Sequence, residues 1–271
     1  MPNFSRIKHV VLDLDGTIYL GGRLFPDTLP FLALLERLEI GYTFITNNCS
    51  RSRVEYVQHL RRMGIDVEPQ AISTSAQATI HYLASHLPHV QRLFVLGTAG
   101  LEHDLQDVGF DVDDERPDAV VVGFDLELTY DRLARTAWWI AQELPYIATH
   151  PDRVCPTNEP TVLPDCGAIC ALLETATGRR PDAVPGKPSP AMLETILDEH
   201  GLSPGETAMI GDRLYTDIRM ARDAGAMAIL TLTGEARADD IDGALPHHRP
   251  DLVVNDLDEL ARMIEDARHA V

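Results

Sequence analysis

The chain has 271 residues, 45% of them hydrophobic, which is enough for one large or two modest domains with a substantial core. Its formal charge of −19 excludes nucleic acid as the main partner, because a phosphate backbone requires a dense cationic surface. No apolar run approaches the roughly 20 residues of a membrane helix, and the N-terminus lacks the features of a signal peptide. We therefore predict no membrane association and a cytoplasmic location.

The first part of the chain alternates strand-like and helix-like patterns. Its predicted elements are a strand at 7–13, a helix at 27–39, a strand at 42–46 and a helix at 51–63. Gly41 and Gly64 are predicted to end the two helices, and Ser50 is predicted to cap the second one.

The middle of the chain repeats this alternation. Its predicted strands and helices are strands at 93–96, 119–124 and 146–149 and helices at 99–108, 130–143 and 167–177. Residues 77–182 carry 17 acidic and 7 basic side chains, so this part is denser in negative charge than the rest and is predicted to be a separate unit. The stretch 178–186, rich in Pro, Gly and charge, is predicted to be a linker.

The last part begins with Ser189 and Pro190, a pair typical of a helix start. The predicted elements are a helix at 190–200, a strand at 207–210, a helix at 215–223, a strand at 226–231 and a helix at 256–269. The whole alternation predicts an α/β fold with a largely parallel sheet. Residues 1–76 and 183–271 are predicted to form a catalytic core, with 77–182 inserted as an α/β cap that controls substrate specificity.

Polar residues follow three of the predicted strands. They are Asp13 and Asp15 after the first strand, Thr46, Asn47 and Asn48 after the second, and Asp212 after the strand at 207–210. Ligands of open parallel sheets bind outside the carboxyl ends of the strands, so neighbouring strands would bring these residues together.

Asp13 and Asp15 lie two residues apart, and in extended chain their side chains lean to the same side. Close carboxylates repel each other unless a cation or a proton lies between them. Mg²⁺ suits such an oxygen-rich site, with Asp212 as a further ligand. A lone Asp-x-Asp pair is more often a solvated turn or a calcium loop, but here it directly follows a buried strand.

This arrangement predicts phosphoryl transfer. Asp13 is placed to attack phosphorus and form an aspartyl-phosphate, and Asp15 can protonate the leaving oxygen and later activate water. Thr46, Asn47 and Asn48 offer hydrogen bonds to phosphate oxygens. Two further residues complete the predicted set. Lys187 would supply positive charge, although a surface lysine is the alternative. Asp217 would orient the metal site or Lys187, or it would interact favourably with the dipole of the following helix.

Four motifs stand in order: DLDGT at 13–17, ITNN at 45–48, GKPSP at 186–190 and GDRLYTD at 211–217. Together they resemble the motifs of the haloacid dehalogenase superfamily, most closely its NagD-like or p-nitrophenylphosphatase-like branch. The segment 148–169 is similar to the part of the cap near the substrate in that branch. Pro185 departs from the pattern, because relatives have an apolar residue there.

The resemblance implies a Rossmann-like doubly wound parallel-sheet core with an inserted α/β cap, and a Mg²⁺-dependent phosphatase. It implies Asp13 as nucleophile and metal ligand, and Asp15 as acid/base and metal ligand through its carbonyl. The remaining implied roles belong to Thr46 and Lys187 at the phosphoryl group and to Asp212 at the metal. The expected substrate is a small phosphorylated metabolite such as a nucleoside monophosphate, a sugar phosphate or phosphoglycolate.

Several alternatives stay open at the level of the sequence. A phosphotransferase or mutase would use the same intermediate, and a non-catalytic binding protein would keep the fold without turnover. Residues 164–167 are the candidate specificity loop, and Arg153, Arg132 and Arg135 are candidate partners for a second anionic group. A homodimer through the cap would suit the family. The four cysteines fit no zinc pattern and are predicted to be reduced, mostly buried thiols.

Overall fold

The computed structural model describes residues 4–113, 115–155 and 161–269. The chain divides into two compact units. The first unit contains Met1–Thr46, Leu60–Ile72 and Pro188–Val271, and the second contains Asn47–His59 and Ser73–Lys187. The assignment of catalysis to 1–76 and 183–271 and of specificity to 77–182 stays a prediction.

The strands of the described residues are β1 (His9–Asp13), β2 (Tyr19–Leu20), β3 (Arg23–Leu24), β4 (Gly41–Thr46), β5 (Ile72–Thr74), β6 (Arg92–Leu96), β7 (Asp111–Val112), β8 (Ala119–Val122), β9 (Tyr146–Ala148), β10 (Val154–Cys155), β11 (Leu163–Pro164), β12 (Thr207–Gly211), β13 (Met227–Thr231) and β14 (Leu252–Val254). The α-helices are α1 (Thr28–Arg37), α2 (Arg53–Arg62), α3 (Ser75–His86), α4 (Ala99–Asp107), α5 (Tyr130–Ala141), α6 (Cys166–Thr177), α7 (Pro190–His200), α8 (Arg219–Ala224), α9 (Ala238–Asp242) and α10 (Leu257–His269).

The first unit is built on a six-stranded sheet with the order β14-β13-β12-β1-β4-β5. β1 pairs in parallel with β12 on one side and with β4 on the other. All residues of β1 and β12 are buried, which is typical of parallel strands covered on both faces. The prediction that the strands ending near 13, 46 and 211 are neighbours is therefore confirmed.

The second unit has its own parallel sheet, in the order β7-β6-β8-β9. Successive side chains of β6 enter two different cores, because a strand points its residues alternately to opposite faces. Leu93 and Val95 pack with residues of α3 and α4, and Phe94 and Leu96 pack with residues of α5 and α6. Helices thus cover both faces of this sheet, and the α/β fold class with a parallel sheet is confirmed.

Two predicted helix boundaries are wrong for local reasons. Helix α1 ends at Arg37, and Glu39 takes the left-handed conformation (φ 54°) that was expected at Gly41. Gly41 instead begins β4, where a Cβ atom would lie 2.6 Å from Nδ1 of His9. The cap of α2 is Ser52 rather than Ser50, because the Ser52 amide donates to Glu55 Oε2 and the Glu55 amide donates to Ser52 Oγ.

Other elements were missed or have a different form. β5 and α3 were not predicted, and the helix expected at 215–223 begins as the π-helical turn Leu214–Ile218 before α8. The predicted linker is tied to β9 of the second unit, since the Asp182 amide donates to the Tyr146 carbonyl (2.7 Å). Among the described residues, we find no helix with the length and apolarity needed to span a bilayer.

Candidate active site

Three carboxylates of the first unit lie together at the carboxyl end of its central strands, and we call them the acidic cluster. Asp13 is the last residue of β1, Asp212 directly follows β12, and Asp217 lies in the π-helical turn. One carboxylate oxygen of each lies within 4.8 Å of the others, and all three residues are buried. The pairing of β1 with β12 brings the first two together, and the tight turn after β12 brings the third.

Glycines make room for this cluster. A Cβ atom at Gly16 (φ 95°) would lie 2.5 Å from Asp212 Oδ2. A Cβ atom at Gly234 would overlap the same carboxylate, and one at Gly211 would overlap that of Asp217. The backbone therefore approaches these side chains closely from three directions, and only glycine allows that approach.

The loop after β13 supports Asp212 and was missed by the sequence analysis. The Glu235 amide donates to Asp212 Oδ2 (2.6 Å), and the Ala236 amide donates to the Asp212 carbonyl (3.1 Å). Thr233 Oγ1 donates to the carbonyl of Gly16 (2.6 Å), which ties the loop to the turn after β1. The available signal was a threonine and a glycine just beyond a strand of the same sheet, where ligand-binding loops gather.

Arg213 is the second residue that sequence reasoning missed. Burial favours a neutral guanidinium, but the acidic cluster outweighs burial and raises the pKa of Arg213 above its ordinary value. Its Nε lies 3.0 Å from Glu235 Oε2, and its backbone amide donates to Asp217 Oδ2 (3.1 Å). Arg213 therefore places one permanent positive charge beside the three carboxylates of the acidic cluster and that of Glu235.

Asp15 and Thr46 lie near this edge in the first unit. Asp15 is half-buried in the turn after β1, and Tyr19 Oη donates to its Oδ2 (3.2 Å). Thr46 is the buried last residue of β4, one position beyond Ile45, which pairs with Asp13 in the β1–β4 register. The structure thus places Asp13, Asp15, Thr46 and Asp212 at the ends of neighbouring strands.

Asn47 and Lys187 are joined to each other in the second unit, although 140 positions separate them in sequence. Asn47 Nδ2 donates to the Lys187 carbonyl (2.9 Å), and the Lys187 amide donates to Asn47 Oδ1 (2.8 Å). Lys187 is only 4% exposed, so it is not the surface lysine that the sequence left open. Asn48 Oδ1 accepts from the Ser50 amide in its own loop (2.9 Å), and Asn48 Nδ2 lies 4.0 Å from Cys155 Sγ. The phosphate-binding roles of these residues stay predictions.

The acidic cluster fits a divalent cation. Its donors are all carboxylate oxygens, which suit Mg²⁺ or Ca²⁺ rather than a softer metal. Three buried carboxylates facing one guanidinium also leave an excess of negative charge that a cation would balance. Asp13 and Asp212 would hold such an ion, with Asp217 beside them.

The three arginines predicted as partners for a second anionic group differ in their contacts and exposure. Arg132 is used inside the second unit, since it donates to Asp125 Oδ2 (2.7 Å) and to the Gly97 carbonyl (2.7 Å). The guanidinium carbon of Arg135 lies 5.6 Å from the centre of the Phe94 ring. Arg153 is exposed. Within the segment 148–169, residues 156–160 lie outside the described residues. The four cysteines are buried thiols that form no disulfide, as predicted.

Two family models match the chain. Residues 10–111 match the family described as haloacid dehalogenase-like hydrolase, and residues 184–260 match a second model of the same kind. The acid sugar phosphatase of Staphylococcus epidermidis is 34% identical over 232 residues, which cover 85% of this chain and 88% of that protein.

Solved structures agree with these matches. The 4-nitrophenylphosphatase of Thermotoga maritima has a TM-score of 0.91 at 41% identity, covering 96% of this chain and 98% of that one. NagD of E. coli K-12 has a TM-score of 0.85 at 32% identity, covering 93% and 98%. A glycerol phosphate phosphatase of Mycobacterium tuberculosis, solved with magnesium, has a TM-score of 0.89 at 33% identity, covering 96% and 78%. The chain belongs to the haloacid dehalogenase-like hydrolases, and within them to the NagD-like and p-nitrophenylphosphatase-like phosphatases.

Proposed function

We propose that this phosphatase hydrolyses a small sugar or polyol phosphate through an aspartyl-phosphate on Asp13, with Mg²⁺ as its metal. The observation that carries the proposal is the convergence of Asp13, Asp212 and Asp217 at the carboxyl ends of β1 and β12. The names of the relatives, an acid sugar phosphatase and a glycerol phosphate phosphatase, support a small polyhydroxylated substrate.

The first half-reaction transfers the phosphoryl group to the protein. A carboxylate oxygen of Asp13 attacks phosphorus, and the bond between phosphorus and the ester oxygen breaks. Asp15 gives its proton to the departing oxygen, so the alcohol leaves neutral. Tyr19, whose hydroxyl donates to the Asp15 carboxylate at 3.2 Å, holds this carboxyl group in the turn after β1.

The second half-reaction releases phosphate. Asp15, now ionised, takes a proton from water as the water oxygen attacks phosphorus, and the bond from phosphorus to Asp13 breaks. Inorganic phosphate leaves and both aspartates return to their starting protonation. In this proposal Thr46, Asn47, Asn48 and Lys187 bind the phosphoryl oxygens throughout.

Bound Mg²⁺, held by Asp13, Asp212 and the carbonyl of Asp15, would neutralise the charge that develops on the phosphoryl oxygens. Asp217 accepts from the Arg213 amide and so holds the turn that carries the cluster. We further propose that residues 1–76 and 183–271 carry the chemistry and that 77–182 select the substrate. Four cysteines without a disulfide suit the reducing cytoplasm, where we expect the protein to act.

The test is a screen of inorganic phosphate release from sugar phosphates, glycerol phosphate, nucleoside monophosphates and phosphoglycolate in the presence of Mg²⁺. We expect turnover to be fastest with sugar or glycerol phosphates. Asp13→Asn should be inactive but folded, and Asp66→Asn, whose side chain is 82% exposed, is the control that should keep activity. Turnover by the Asp13→Asn variant would overturn the nucleophile assignment. Phosphate transfer to added alcohols in place of release would favour the phosphotransferase.

A further inference from the structure

A fully buried histidine in the second unit faces two carboxylates. His150 follows β9, and none of its surface is exposed. Its Nδ1 lies 3.5 Å from Asp152 Oδ2, and its Nε2 lies 3.5 Å from Asp165 Oδ1. The second carboxylate is held at the start of α6, because Asp165 Oδ1 also accepts from the Cys166 amide (2.6 Å).

The other titratable groups beside the ring are thiols. Cys49 Sγ lies 3.4 Å from Thr149 Oγ1, and Cys166 Sγ lies 3.8 Å from the same hydroxyl. Burial raises the pKa of Cys166, so that thiol is neutral. Burial alone would favour a neutral imidazole, but Asp152, Cys49 and Asp165 outweigh it and hold the pKa of His150 well above its ordinary value. The two flanking carboxylates therefore favour the protonated form of the ring.

This ring is connected to the segment that carries Lys187. The same oxygen that faces His150, Asp152 Oδ2, accepts a hydrogen bond from Asn47 Nδ2 (3.1 Å). Asn47 exchanges two hydrogen bonds with the backbone of Lys187. A contiguous path thus runs from the imidazole through one carboxylate and one amide to the Lys187 backbone.

Close backbone packing makes this path rigid. The Gly186 amide donates to the Thr149 carbonyl (2.9 Å), so the segment runs beside the residue that precedes His150. A Cβ atom at Gly186 would lie 2.9 Å from both Asn47 Oδ1 and His150 Cβ. Gly186 thus packs closely against Asn47 and His150, and we expect a change at the imidazole to displace the amide and the lysine segment.

We propose that His150, Asp152 and Asp165 form a buried positioning group that holds Asn47, and through it the backbone of Lys187, in the geometry that binds the phosphoryl group. The imidazolium keeps the Asp152 carboxylate oriented toward Asn47, and Asp165 fixes the opposite side of the ring. The catalytic part of this inference rests on the proposed role of Lys187. The positional part concerns only contacts within the second unit.

Amide hydrogen exchange of the full chain, measured by NMR, tests the positional part without any assay of activity. In His150→Asn and Asp152→Asn, we expect the exchange rate of the Lys187 amide to rise about tenfold more than the exchange rates of the other protected amides of the unit. The Asn47 side-chain amide resonances should shift with pH in the wild type and lose that shift in His150→Asn. Asp125→Asn weakens a different buried ion pair of the unit, with Arg132, and should change neither signal beyond its effect on stability.

Kinetics with p-nitrophenyl phosphate and Mg²⁺ test the catalytic part. We expect His150→Asn to lower kcat/KM about tenfold near neutral pH, through displacement of the phosphoryl-binding backbone. Because groups present in both proteins cancel, the ratio of wild-type to variant kcat/KM should fall toward one as pH rises through the raised pKa of His150. A purely structural role would give a ratio that does not change with pH.

The possible failures are distinct. If the wild type hydrolyses no phosphate ester, the proposed function fails, while the exchange result still decides the positional part. If His150→Asn and Asp152→Asn only lower the unfolding temperature, as Asp125→Asn does, with unchanged Lys187 exchange and pH profile, the positioning group is overturned. If one variant does not fold, the other variant and the wild-type pH titration of the Asn47 amide decide the outcome.

Discussion

Two regions of this protein bury carboxylates together, and they balance the charge differently. In the first unit, Asp13, Asp212 and Asp217 lie within 4.8 Å of one another, with Arg213 as their neighbouring cation. In the second unit, two carboxylates flank one imidazole, His150, that becomes a cation itself. The first region therefore keeps an excess of negative charge that an ion from outside would balance, as the proposed metal would do. In the second region the two carboxylates also accept hydrogen bonds from Asn47 Nδ2 and the Cys166 amide, which suits this group to holding other residues in place.

The largest expected effect is that of metal removal, which should affect only the acidic cluster. Chelation should lower phosphate release by at least about 100-fold, because the phosphoryl charge loses its neutralising cation, and added Mg²⁺ should restore it. Mg²⁺ should also raise the unfolding temperature, with the stabilisation growing with the logarithm of Mg²⁺ concentration above Kd. Calorimetry and a phosphate assay measure both effects. Indifference of both activity and stability to chelation would rule out the metal.

A smaller effect is expected from filling the space beside Asp212. Gly234→Ala would push a methyl group into that carboxylate, and we expect Mg²⁺ to bind about 10 to 100 times more weakly. Gly243→Ala is the matched control, since its Cβ would meet nothing within 4 Å. Isothermal titration with Mg²⁺ measures the difference. Equal affinities in the two variants would show that Asp212 is not a ligand.

The pH dependence of stability extends the comparison to a second buried histidine, because the pKa of His9 is lowered whereas that of His150 is raised. His9 lies against His200, with 4.5 Å between ring centroids, and burial followed by His200 lowers its pKa to about 4. The unfolded chain takes up a proton at His9 near pH 6.5, whereas the folded protein does so only near pH 4. Stability is therefore present above pH 6.5 and lost as pH falls toward 4, by at most ~3 kcal/mol.

Denaturant unfolding between pH 4 and 7 measures this loss. The His9→Gln variant keeps a polar group within reach of Thr43, whose Oγ1 lies 2.9 Å from His9 Nε2, and should show a shallower decline. The carboxylates shared by both proteins contribute equally to the two curves. Parallel curves for the wild type and His9→Gln would contradict the prediction.

The smallest expected effect is a change in the free energy of unfolding that has opposite signs in the two regions. Without metal, Asp13→Asn should raise the free energy of unfolding by ~1 kcal/mol, because it removes one of three repelling charges. Asp152→Asn should lower it by a similar or larger amount, because it removes a partner of a buried cation. Chemical denaturation in a chelator measures both values. The same sign for the two variants would contradict the proposed difference in charge balance.

Much of the fold could be predicted from sequence because its signals are local. The buried apolar runs of β1 and β12 and the polar residues that end them are visible in the chain, and so is the proline start of α7. The left-handed residue of α1 was assigned to Gly41 because glycine favours that conformation. The real reason for that glycine is the ring of His9, a neighbour that the sequence alone does not reveal.

The parts of the site that were missed depend on contacts between distant segments. The loop at 232–236 follows β13 as an ordinary Thr-Gly-Glu stretch, and its hydrogen bond to Asp212 exists only once β12 and β13 pair. Likewise, Asn47 was predicted to bind phosphate because it follows a predicted strand. Its bonds to Lys187 and Asp152 join residues more than 100 positions apart, and no local pattern predicts them.

The most direct test of this account is a crystal structure of the protein with Mn²⁺ in place of Mg²⁺, located by anomalous scattering. We expect one strong peak coordinated by carboxylate oxygens of Asp13 and Asp212, with no metal beside His150. A metal bound elsewhere, or no metal at these two aspartates at saturating Mn²⁺, would contradict it.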